Sequence, residues 1–189
     1  MKPLNTSINP SQSNLSGKPY QGQRWLVEER DACGVGFIAY QDGRQSNKIV
    51  QEALKALGCM EHRGGCSADR DSGDGAGIMT ALPTKIFAAW SAENKIDLPP
   101  AEAWGVGMVF MPQNAEQITE SKQYVEEVAR GEGLEVLGWR EVPVKPEVLG
   151  QQARDYRPHI EQIVVTSATG LTGDELERKL YIARSRVGK

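Results

Sequence analysis

The sequence has no apolar run of membrane-spanning length, no long block of one charge, only three cysteines and only two histidines. The first absence removes a transmembrane helix, and the N-terminus has neither the charged start nor the apolar stretch of a secretory signal peptide. Lysine and arginine total 22 against 25 acids, for a net charge of -3. No nucleic acid and no membrane surface is therefore expected as a partner. The odd set Cys33, Cys59 and Cys66 fits no disulfide framework and points to a reducing compartment, cytoplasm or an organelle stroma. Cys59 and Cys66 flank His62, yet that gap with one histidine gives no four-ligand zinc pattern, so no metal is expected.

What is present begins with a polar lead-in. Residues 1–23 are rich in Ser, Asn, Gln, Pro and Gly and bury too little to offset ordering entropy, so a disordered or removed tail is expected. Residues 1–27 also contain no acid, as a transit peptide would, although Lys2, Lys18 and Arg24 are few cations for one. After the charged Glu28–Asp31 the sequence changes abruptly to Cys33-Gly-Val-Gly-Phe-Ile-Ala-Tyr40, which reads as a buried strand with Val35, Phe37 and Ala39 on one face. A helix is predicted from a cap at Asn47 to about Glu61, with Val50, Ala53, Leu54, Leu57 and Met60 on one stripe.

The stretch His62–Gly77 holds five glycines and three aspartates in sixteen residues. No regular element tolerates that composition, and a long loop folded closely around something is expected. Beyond it, buried strands are predicted over 78–82 and 104–111, and further strands over 134–142 and 160–167. Helices are predicted over 84–90, from an Asn114 capping box to about Ala129, and from Gly173 through Ile182. The alternation of both element types gives an α/β or α+β class.

Two motif readings fail on context. Gly34-Val-Gly-Phe-Ile-Ala39 has the spacing of a dinucleotide fingerprint, but charged residues precede it and a strand follows where a helix should open. Asp69-Arg-Asp-Ser-Gly-Asp74 resembles a calcium loop, but Gly73, Asp74 and Thr80 fall where a side-chain oxygen, the turn glycine and the bidentate glutamate belong. His62 and His159 read as structural hydrogen-bonding residues, with a Cys33–His62 dyad an open alternative, since partners need meet only in space.

Cys33 is either a small core cysteine at a strand start, the commoner fate of a lone cysteine, or a nucleophile. The junction favours the nucleophile. Removal of the polar leader would make Cys33 the N-terminus, and a free α-amine, titrating near ~8, would serve as the base for its own thiol.

Ala32-Cys33-Gly-Val-Gly-Phe37, Glu61-His-Arg-Gly-Gly65 and Asp74-Gly-Ala-Gly-Ile78 together resemble the class II, N-terminal-nucleophile glutamine amidotransferases. The expanded loop with Asp69, Asp71 and Asp74, and the leader Trp25–Asp31, are similar to the amidotransferase domain of glutamate synthases in particular. The resemblance implies an α+β fold, the four-layer αββα sandwich, incomplete in this chain. It implies a propeptide over residues 1–32 and an amidotransferase portion over 33–189. Cys33 would hydrolyse glutamine to glutamate and ammonia, with Arg63, Gly64, Gly65, Asp74 and Gly75 in the pocket loop. The ammonia would aminate 2-oxoglutarate in downstream synthase domains carrying FMN and an iron–sulfur cluster, with no cofactor in this portion. Similarity of the leader favours ferredoxin as electron donor. No Asn-Gly pair follows residue 104, so the oxyanion-hole donors and the residues gripping glutamine are expected beyond residue 189, leaving this portion by itself inactive. Another class II amidotransferase, or a non-catalytic module keeping the scaffold, are the alternatives.

Overall fold

The computed structural model describes residues 34–60, 64–65 and 69–188. Its first element, α1 (Asn47–Gly58), is capped by Ser46, whose hydroxyl accepts from the Lys48 amide at 3.2 Å. The predicted cap, Asn47, is therefore the first helical residue, one position late. No residue of α1 is buried. Helix α2 (Thr84–Asn94) runs a turn further than predicted and inserts Phe87 into the interior.

Three strands follow: β1 (Trp104–Met111), β2 (Leu134–Glu141) and β3 (His159–Ser167). They form one antiparallel sheet in the order β1-β3-β2, with Trp104 opposite Thr166 and Leu134 opposite Ser167. The central place of β3 follows from its Ile163-Val164-Val165 run, which is apolar on both faces and buried throughout. A bulge at Leu137 shifts the β2 register between Val136 and Gly138, so Leu137 joins the core on one face while Val136 and Trp139 pack on the other.

Helices cover both faces. Between β1 and β2, α3 (Ala115–Gly131) starts at Asn114, whose Oδ1 accepts from the Glu116 and Gln117 amides at 2.9 and 3.2 Å. It ends before Gly133, whose φ of +78° turns the chain into β2. A 3-10 turn (Pro146–Val148) and α4 (Gln151–Tyr156) precede β3, and α5 (Gly173–Val187) follows it. On one face Val125 and Ala129 of α3 and Leu176 and Ala183 of α5 pack on Leu134, Ile163 and Val165. On the other, Phe87 packs on Trp104 and Val164, with Trp90 beside it. Each fully buried Val, Leu, Ile or Phe side chain among these contributes about 1.5–3 kcal/mol.

Two predicted strands do not form. Residues 34–40 and 74–82 hold no strand, Val35 and Phe37 are 96% and 95% exposed, and Met79 is fully exposed. Their apolar sequences are those of strands, but a strand needs a neighbour to take its N–H and C=O groups. No neighbouring strand pairs with residues 34–40 or 78–82 among the described residues. The mixed α and β class therefore stands, with a three-stranded sheet as its β part.

Candidate functional site

The predicted site residues fall into two groups. Cys33 and Arg63, together with His62 and Cys66, lie outside the described residues. Gly64, Gly65, Asp74 and Gly75 are described, and all four are exposed. The loop they share is closed by a reciprocal pair. The Gly65 amide donates to Asp74 Oδ2 at 2.7 Å, and the Asp74 amide donates to the Gly65 carbonyl at 3.1 Å. A carboxylate accepting from a backbone N–H makes a charge-assisted bond, stronger than a neutral one. A Cβ at Gly65 would stand 3.0 Å from the same Asp74 Oδ2, so glycine there allows the carboxylate its approach.

Inside that closure sits a second set of contacts. Asp69 Oδ1 accepts from the Asp71 and Ser72 amides at 3.1 and 2.9 Å, and its Oδ2 accepts from the Ser72 hydroxyl at 2.6 Å. Arg70 between them takes a φ of +57°, the left-handed conformation that lets this turn fold onto its own carboxylate. Ser72 is only 4% exposed. It is buried because the loop docks on the start of α4, more than seventy residues further along. The Gln152 amide donates to Asp69 Oδ2 at 3.1 Å, and the Ala153 amide donates to Ser72 Oγ at 3.0 Å.

These are the orphan amides of the first turn of α4, and its own N-cap residue, Gly150, has no side chain to satisfy them. Gly150 is buried, and a Cβ on it would lie 2.5 Å from the Ser72 nitrogen and 2.6 Å from Asp71 C. The hydrogen bond from the Ser72 hydroxyl, with those from the Ser72, Asp71 and Gln152 amides, outweighs desolvation and holds the Asp69 carboxyl far below the usual carboxylate range. Sequence reasoning singled out Asp69 only as one of three loop aspartates and did not single out Ser72. Both are capping residues by type, but the helix they cap lies about eighty positions away, beyond the reach of any local pattern.

A charged cluster occupies the α3/α5 face of the sheet. Glu161, nearly buried, accepts from Lys122 Nζ at 2.8 Å through one oxygen and lies 2.9 Å from His159 Nε2 through the other. Burial pushes the Glu161 carboxyl up, but the hydrogen bonds and charges of Lys122 and His159 together hold it below its ordinary value. Lys122 also lies 4.8 Å from the centre of the Trp139 ring, and the Trp139 Nε1–H donates to Glu126 at 2.8 Å. His159 has the structural role expected of it.

An open cleft of about 710 Å³, lined by Gln113, Arg154, Asp155, Tyr156 and Arg157, lies at the far end of α4, with no described residue of the glycine-rich loop in its wall. Arg154 is engaged there with the Leu149 carbonyl at 2.8 Å. Among the described residues no group of three or more His, Cys, Asp or Glu could hold a metal ion, and no helix is long and apolar enough to cross a membrane.

Residues 33–189 match the family described as glutamine amidotransferases class-II. The chain is similar to ferredoxin-dependent glutamate synthase 2 of Synechocystis sp., at 59% identity over 181 residues covering 96% of this chain and 12% of the relative. It is similar also to the chloroplastic/mitochondrial ferredoxin-dependent glutamate synthase 1 of Arabidopsis thaliana, at 48% over 182 residues, 96% of this chain and 11% of the relative. The chloroplastic ferredoxin-dependent glutamate synthase of Oryza sativa subsp. japonica matches at 47% over 183 residues, 94% and 11%. The chain thus spans about a tenth of the length of the curated relatives it matches.

Proposed function

The chain belongs to the class-II glutamine amidotransferases, and from that membership we propose that it is the glutamine-hydrolysing part of a ferredoxin-dependent glutamate synthase, with Cys33 as nucleophile. The observation that carries this reading is where the family match begins. It opens at residue 33, the cysteine that follows the polar leader, which supports a propeptide over residues 1–32 and a catalytic portion from Cys33.

The chemistry then needs one residue for two tasks. The freed α-amine of Cys33 takes the thiol proton, and the thiolate sulfur attacks the glutamine side-chain carbonyl. The C–N bond breaks, the α-ammonium returns its proton to the departing nitrogen, and ammonia leaves a γ-glutamyl thioester. Water adds to that thioester, the C–S bond breaks, and glutamate and the Cys33 thiol are released. The loop of Gly64, Gly65, Asp74 and Gly75, with Arg63, forms the pocket mouth, and Arg63 takes a structural ion pair in preference to a substrate carboxylate. In the synthase the ammonia aminates 2-oxoglutarate. The FMN and iron–sulfur cluster which that reaction needs belong to other parts of the synthase. Cytoplasm or stroma suits such an enzyme, and a chloroplastic relative accords with it.

The fold is the four-layer αββα sandwich. Its support is an uncovered half of the sheet: Met108 and Phe110 continue the β1 face that α2 covers at Trp104 and Val106, yet they are exposed. An exposed apolar patch of this kind marks a surface that another layer covers. The apolar segments 34–40 and 78–82 supply strands for that second sheet.

N-terminal sequencing with intact mass of the purified full-length protein tests the proposal. A mature chain starting at Cys33 is the expected result. A mature chain that keeps residues 1–32 and still releases ammonia from glutamine would overturn the N-terminal-nucleophile assignment.

A further inference from the structure

We propose that Asp69 and Ser72 are positioning residues for glutamine hydrolysis, acting as a clamp that fixes the pocket loop to the start of α4. The inference rests on the glutaminase reading above and deepens it. The loop from Gly64 to Gly75 has few means of holding its shape. It is exposed at every described position except Ser72, and its described residues hold no helix or extended strand. Its two ends are tied to each other through Gly65 and Asp74, which shapes the loop but does not place it on the protein.

Placement comes from the Asp69 and Ser72 contacts with the Gln152 and Ala153 amides. Both partners gain. The first turn of α4 obtains the acceptors that Gly150 cannot supply, and the loop obtains a fixed seat on the element that leads into β3, the centre of the sheet. Gly150 completes the seat by lacking a Cβ where the Ser72 backbone passes. The clamp's partners, Gln152 and Ala153, are not among the residues assigned to the chemistry. It acts through the rigid turn to Gly65 and Asp74, and a displacement of about 1 Å in a pocket wall can cost on the order of a hundredfold in rate.

The test compares two reagents on the full-length protein and its Ser72→Ala and Asp69→Asn variants. A diazoketone analogue of glutamine must enter the pocket to alkylate Cys33, whereas iodoacetamide needs only a reactive thiolate. Both variants are expected to lose about tenfold or more in the rate of analogue labelling while iodoacetamide labelling keeps the parent rate. Asp69→Asn keeps the side-chain volume and serves if Ser72→Ala folds poorly. Hydrogen exchange reads the clamp without Cys33: the Gly65 and Asp74 amides should exchange faster in both variants. Analogue labelling at the parent rate overturns the positioning role, and so does equal loss of both reagents, which signals damage to the fold. Unchanged exchange at Gly65 and Asp74 overturns the clamp. A parent protein that takes no analogue at Cys33 overturns the glutaminase reading, and the positioning role with it.

Discussion

Ser72 and Ala153, 81 positions apart in the chain, are joined by a 3.0 Å hydrogen bond from the amide of one to the hydroxyl of the other. The glycine-rich loop thereby caps a helix that cannot cap itself. Local sequence supplied the parts, a short polar side chain and a bare N-cap glycine, and the tertiary fold paired them.

That pairing makes Gly150 intolerant of a side chain. A Cβ at Gly150 meets backbone atoms of Asp71 and Ser72, whereas one at Gly105 meets the far end of the Leu180 side chain, which can turn aside. Gly150→Ala is expected to destabilise by about 1–3 kcal/mol, as overpacking does. Gly105→Ala should cost less. Thermal unfolding of the two variants checks the order, and a larger loss at Gly105 would contradict it.

The α3 cap should behave as an independent unit. Asn114→Ala leaves the Glu116 and Gln117 amides without their shared acceptor, and a loss of about 1 kcal/mol is expected. Asn114→Ser should recover most of it, read by chemical denaturation.

Acid stability should depend on Glu161. Its carboxyl lies below its ordinary value of 4.5 in the folded chain, so the stability it contributes is present above that value and is lost as pH falls through the lower folded value. Unfolding measured from pH 7 downward should therefore show a decline below about 4.5 that Glu161→Gln makes shallower. Lys122→Met strips Glu161 of its cation, leaving a nearly buried carboxylate short of a partner, and should cost about 1–3 kcal/mol at neutral pH. A neutral effect of Lys122→Met would contradict this account of the cluster.

Legibility in the sequence followed the range of the forces involved. Asn114 announced its helix because cap and capped amides lie within three residues, and β3 announced itself by three consecutive apolar residues that suit burial on both faces. The α1 cap was read one residue late because Ser46 and Asn47 are both capping types, and only backbone geometry decides between them. Residues 34–40 and 78–82 were read as buried strands from composition, but a strand is completed by its neighbour, and the described residues give them none. In the candidate site, Gly65 and Asp74 were singled out by the sequence and the structure ties them to each other, whereas Cys33 lies outside the described residues. The Asp69–Ser72 seat on α4 was not legible, because nothing in either segment names the other.

The central claim, that Cys33 is an N-terminal nucleophile for glutamine, is tested most directly by peptide mapping after treatment of the full-length protein with the diazoketone glutamine analogue. One adduct is expected, on a peptide whose first residue is Cys33, with labelling suppressed by excess glutamine and abolished in Cys33→Ser. An adduct confined to another residue, or labelling that survives in Cys33→Ser, would contradict the claim.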